Sequence, residues 1–237
     1  MSEKTDILKN FITERIYDFS VLEQDGGFRE IPSFEIYPRE YLRFAEQELE
    51  TSNDTRHLIN CISHLKRAME CQIDIFLHSF CLLSVFQKRN LGIDKKLELI
   101  QETRVATART LSRLNTIRNR MEHAYEIPKL HDIEVYFDLV TSFVVILERA
   151  RTFSSLTDLK FELYDDDKGD KKPYGYFSIK YDYEKLNISV QWESENNSNS
   201  LVSELKDIQE FGYFFRVFIL LSQFETLSTY DDITNEL

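Results

Sequence analysis

Glycine and proline are scarce: six and four in a chain of 237 residues. Sandwiches built from many short strands need both at their turns, so an all-β fold is disfavoured and long helices are favoured. Cysteine is confined to Cys61, Cys71 and Cys81, an odd set with no CxxC pair. That excludes a disulfide framework, gives no zinc site and fits a reducing, cytoplasmic compartment. No metal or other cofactor is expected. Apolar runs stay below the ~18 residues that a membrane span requires, and the longest, Phe211–Leu221, is interrupted by Arg216. No membrane association is expected. The opening segment MSEKTDILKN is polar and mixed in charge, unlike a secretion signal. There is no Walker loop, no GxGxxG and no GxSxG. Basic side chains are outnumbered 29 to 41 by acidic ones, for a net charge of −12. Such a field repels a polyanion unless basic residues are gathered locally, so general coating of nucleic acid is excluded.

What the chain does have is apolar volume and two distinct hydrophobic periods. At this length one elaborated domain or two small ones are expected, and 42% hydrophobic residues, with 18 Phe and 12 Tyr, suffice for a sizeable core. Up to about Ser155 the period is helical. Ile7, Leu8, Phe11, Ile12 and Ile16 predict a short helix over 5–19, interrupted by Gly26-Gly27 and followed by a partly extended stretch over 28–37. Pro38 opens a helix to about Glu50, and Thr51–Asp54 supplies a linker and N-cap. A long helix then runs to about Phe86 on the stripe Leu58, Ile59, Ile62, Leu65, Met69, Ile73 and Phe76, and Asp94 caps a short successor. Two more helices are expected, at about Thr103–Glu122 and His131–Phe153. In the second, Phe137–Leu147 is apolar on nearly every side and is expected to be buried.

Past Ser155 the pattern alternates. Leu159, Phe161 and Leu163, then Phe177, Ile179, Tyr181 and Tyr183, then Leu186, Ile188, Val190 and Trp192 predict a three-stranded meander. Glu193–Ser200 reads as a solvated loop, and a helix over 201–227 closes the chain. The expected division is an elaboration over 1–52, a helical bundle over 53–154 and a meander plus helix over 155–237.

Chemistry is concentrated in Leu114–Pro128, LNTIRNRMEHAYEIP. At about 100° per residue, Arg109, Arg113 and Arg120 fall within roughly 40° of one another on one helix face. Arg118 lies opposite, among Leu111, Leu114, Ile117 and Met121, where a core residue is called for. A cation in that position needs a partner or a task. With Arg104, these residues make a run free of acids between Thr103 and Met121, a basic rail in an acidic chain. Glu122 opposes phosphate binding there and Arg120 favours it.

Arg118-Asn119-Arg120-Met121-Glu122-His123 resembles the motif of the HEPN (higher eukaryotes and prokaryotes nucleotide-binding) superfamily: Arg, often followed by a polar residue such as Asn, and His four to six positions on. The bare spacing is common, and Asn119 together with the position at a helix end adds the specificity. The resemblance covers roughly residues 55–153. It implies a mainly α fold: a HEPN-like helical bundle, here with a small C-terminal three-stranded antiparallel meander and terminal helix. It further implies a metal-independent endoribonuclease of toxin or antiviral-defence type acting on RNA, a homodimer that brings two motifs together, and an antitoxin or other protein partner. Arg118, Asn119 and His123 become the catalytic candidates, and Arg109, Arg113 and Arg120 the substrate contacts.

The chemistry is coherent, because proton transfer near pH 7 suits histidine and a planar permanent cation suits phosphate. An offset of five residues puts His123 about 140° from Arg118 on a regular helix, so the helix must end between them or a second subunit must complete the site. Two readings without catalysis stand beside this one. Arg118 forms a structural ion pair with Glu70 or Asp74, with Tyr125 as a further polar partner and His123 as a helix C-cap, in an interaction module whose meander and C-terminal helix bind a protein partner; or the same pocket binds a nucleotide as a sensor. His57, His64 and His78 share a helix but lack carboxylates at ligand geometry.

Overall fold

The computed structural model describes residues 2–26, 32–106, 113, 116, 119–120, 129–165, 172–194, 197–224 and 229–237. It divides into two compact units, one made of Met1–Arg29 with Phe153–Leu237 and the other of Glu30–Thr152. The segment preceding residue 53 is therefore shared between them.

In the unit Glu30–Thr152, α2 (Pro38–Thr51) opens with Pro38 in its first turn, and the Glu40 carboxylate accepts the Tyr37 N–H at 3.0 Å. Asp54 caps α3 (Thr55–Ser79) by accepting the His57 N–H at 3.1 Å. α4 (Leu83–Lys88), α5 (Ile93–Glu102) and α6 (Leu130–Ala150) follow. α3 is central and contacts both α2 and α6, with Ala45, Leu65, Met69, Ile73, Phe143, Val144 and Leu147 buried. Arg39 donates to the Glu148 carboxylate at 2.9 Å, tying α2 to α6 at the surface.

The long helix expected to reach Phe86 stops at Ser79. Cys81 adopts φ 59°, its N–H meets the His78 carbonyl at 2.9 Å, and the Leu82 N–H meets the Leu77 carbonyl at 2.8 Å. This is a Schellman closure with cysteine where glycine is usual. Asn90 repeats it after α4, at φ 51° with Leu91 N–H on the Phe86 carbonyl at 2.9 Å. Arg104, two residues past the end of α5, is also at φ 51°. Thr103–Ala106 are turn and bend, so the helix expected from Thr103 does not begin there, and Arg104 is not on the basic helix face. α6 is not buried all round either: Val145 and Ile146 are 45% and 38% exposed.

The other unit is a five-stranded antiparallel sheet in the order β1 (Phe19–Gly26), β2 (Leu156–Leu163), β3 (Gly175–Asp182), β4 (Asn187–Ser194), β5 (Asn197–Glu204). The expected three-stranded meander is corrected accordingly. β2, β3 and β4 pair in that order, and β1 and β5 add an edge on either side. With this sheet the molecule is α+β in class, and not a helical bundle carrying a small appendage.

β1 lacks a clean alternation because a bulge at Leu22 shifts its register, and its partner lies far along the chain. β5, NSNSLVSE, has the composition of a loop but pairs through Asn197–Glu204. The final helix consequently starts later, at α7 (Ile208–Ser222), where Asp207 accepts the N–H groups of Gln209 and Glu210 at 3.1 and 3.0 Å. α8 (Tyr230–Glu236) ends the fold.

One face of the sheet is covered by helices. Phe11 of α1 (Glu3–Arg15) meets Phe177 and Trp192, and Phe211, Phe215 and Phe218 of α7 meet Tyr181, with Phe161, Ile179 and Val190 also buried. Phe11 stacks on Trp192 with centroids 4.5 Å apart. Arg216, which interrupts the apolar run of α7, is buried over the Tyr213 ring and donates to the Leu237 carbonyl at 3.0 Å. Gly175 is required by close approach, since a Cβ there meets the Glu193 carbonyl oxygen at 2.2 Å. Among the described residues, no helix is long and apolar enough to cross a membrane.

Candidate functional site

Arg113, Thr116, Asn119 and Arg120 are helical and exposed. At the spacing of a regular helix, positions seven apart such as 113 and 120 fall within about 20° of one another. Thr116 lies beside them, and Asn119 is about 100° from Arg120. Arg109, Arg118, His123 and Tyr125 lie outside the described residues.

The two carboxylates considered as partners for Arg118 sit one turn apart on α3. Asp74 accepts Lys96 Nζ of α5 at 2.6 Å, and Glu70 lies 4.0 Å from Lys66. Both line a cleft of about 430 Å³ with Phe34, Tyr41, Arg67 and Cys71. The sequence held no signal for this cleft, because Phe34 precedes α2 and joins α3 only in three dimensions.

The α3 histidines are separated by their neighbours. His57 Nδ1 is 2.6 Å from a Glu48 carboxylate oxygen, and the other oxygen accepts the Asn60 amide at 3.2 Å. His64 lies against the rings of Tyr41 and Phe44, and burial holds its imidazole below the usual histidine range, with Glu48 acting the other way. His78 is exposed at the end of α3. Glu48 as the residue joining α2 to His57 was missed, because it belongs to another helix. Among the described residues, no three His, Cys, Asp or Glu side chains are grouped closely enough to hold a metal.

No disulfide joins Cys61, Cys71 or Cys81. Burial first, then the Glu48 charge, pushes the Cys61 thiol up to about 12, and burial with Asp74 pushes Cys71 up to about 11. The thiolate is the reactive form, so at pH 8 roughly one Cys71 in a thousand is ionised, and fewer of Cys61. Iodoacetamide at that pH is expected to leave both unmodified over a time in which denaturant-unfolded protein is fully labelled. Peptide mass mapping checks this, and fast labelling of Cys61 in the folded protein contradicts it. No protein family, curated protein or solved structure matches the chain.

Proposed function

We propose that the protein is an endoribonuclease of the HEPN type, with Arg118 and His123 at its reacting centre and Asn119 beside them. The observation that supports this most is the basic helix face. In a chain of net charge −12, Arg113 and Arg120 are helical, exposed and aligned, next to a motif whose residues suit phosphodiester chemistry. The exposed guanidiniums hold the RNA backbone by charge and planar hydrogen bonding.

At the scissile bond the 2′-oxygen attacks phosphorus while its proton passes to an imidazole. The bond to the 5′-oxygen breaks as that oxygen takes a proton from a protonated imidazole. Arg118 neutralises the added charge of the phosphorane. Because each chain carries one His123, the acid and the base come from two copies, which makes the working species a homodimer. The outward apolar side chains of α6, Val145 and Ile146, favour self-association. A protein partner that silences the site, such as an antitoxin, belongs to the same proposal.

Incubation of the purified protein with single-stranded and structured RNAs in the presence of chelator tests it. Products with 2′,3′-cyclic phosphate and 5′-hydroxyl ends are expected, from a protein that sediments as a dimer at micromolar concentration. Intact RNA, or termini of another kind, rejects it. The acidic net charge favours a second reading, a non-catalytic interaction module in which Arg118 is structural.

A further inference from the structure

Side chains on the open face of the sheet are arranged in cross-strand rows with very different charge balance. One row runs Glu23, Lys160, Ser178, Gln191, Ser200; its two charges meet directly, with Lys160 Nζ 2.7 Å from Glu23. The next sets Asp158 opposite Lys180. The third runs Ser20, Glu162, Tyr176, Glu193, Ser198 and contains two carboxylates and no cation. Tyr176 stands at its centre, 43% exposed, with a carboxylate residue one strand spacing of about 4.8 Å to either side.

Two further features shape this row. The bulge in β1, where Val21 faces Phe161 and Glu23 faces Lys160, pushes Leu22 out of register and leaves it 55% exposed. Leu22, Glu162, Tyr176 and Glu193 then line one concavity of about 770 Å³ together with Tyr174 and with Lys160, whose charge is met by Glu23. The Tyr164 hydroxyl donates to Glu162 at 2.6 Å, which fixes that carboxylate before anything binds.

An aromatic face attracts a cation, and flanking carboxylates accept the planar donor fork of a guanidinium. The same charges repel a nucleic acid backbone. We propose that this face docks a basic peptide segment of a partner protein, with an arginine over Tyr176 between Glu162 and Glu193 and an apolar residue against Leu22. The segment crosses the face and does not extend the sheet, because the side chains that recognise it, Glu162, Tyr176 and Glu193, stand on the interior strands β2, β3 and β4 and on neither edge. The docking surface is independent of Arg118 and His123, and RNA cleavage is not its readout.

The test is a titration of the full-length protein with acetyl-Gly-Arg-Leu-Arg-Gly-amide, followed by the amide resonances of Gly175, Tyr176 and Glu193. Saturable shifts are expected at these positions, with affinity falling at least tenfold in E162Q/E193Q and in Y176A. In the wild type, affinity also falls on raising salt to about 0.5 M, where screening shortens to a few ångströms. A peptide with Glu in place of Arg, and oligouridine, are expected to produce no shift. The proposal is overturned if the basic peptide leaves these resonances unmoved, if oligouridine shifts them, if the wild-type affinity is indifferent to salt, or if E162Q/E193Q binds as tightly as the wild type.

Discussion

Replacing His123 with alanine is expected to slow RNA cleavage by about 10²–10⁴-fold, the usual cost of removing a proton-transfer group. Arg118→Ala is expected to cost about 10²–10³-fold through the lost stabilisation of the phosphorane. Chelator changes neither result, because the proposed route uses the RNA's own 2′-hydroxyl as nucleophile. Initial rates and melting curves measured on the same preparations separate this from the non-catalytic alternative. If Arg118 is structural, the wild type leaves RNA intact and Arg118→Ala melts below the wild type, by a modest amount because Glu70 and Asp74 are half-exposed and have lysine partners. Full cleavage by His123→Ala removes that residue from the mechanism.

The largest expected effect on stability is at Phe177. Its ring is fully buried at the middle of the sheet and lies within 6.1 Å, centroid to centroid, of Phe11, Phe19 and Phe161. Those rings come from α1, β1 and β2, so truncation opens a cavity where three elements converge. Phe177→Ala is expected to cost about 3–5 kcal/mol, read from the denaturant midpoint at unchanged slope. Phe177→Leu, which keeps most of the volume, is expected to lose much less. A loss under about 1 kcal/mol for the alanine variant contradicts convergent packing at this position.

The elements most legible in the sequence are those whose signal is local. Pro38 and Asp54 announce α2 and α3, and the alternation from Leu159 to Trp192 announces β2, β3 and β4. β1 was not legible, because Phe19–Gly26 becomes a strand only by pairing with Leu156–Leu163 and carries a bulge that scrambles its period. β5 was hidden by its Asn and Ser content, which an edge strand tolerates because little of it faces the core. Helix ends were misplaced because glycine was absent: Cys81, Asn90 and Arg104 take the left-handed positions. At the candidate site, residue types and spacing were legible for Arg113, Asn119 and Arg120, whose exposure follows the helical period. The engagement of Asp74 by Lys96 was not, since it depends on how α5 returns to α3.

The sheet unit is interrupted in the chain by the helical one, and on the ribosome that order becomes a delay. Phe19–Gly26 emerges roughly 130 residues before Leu156, its first possible neighbour. At ~5–20 residues per second that is on the order of ten seconds during which β1 has no strand to join. The intervening helices make mostly near-neighbour contacts and can complete their core while β1 waits, since local contacts form fastest. The first strand synthesised is therefore the one that waits longest for a neighbour, until Leu156–Leu163 emerges.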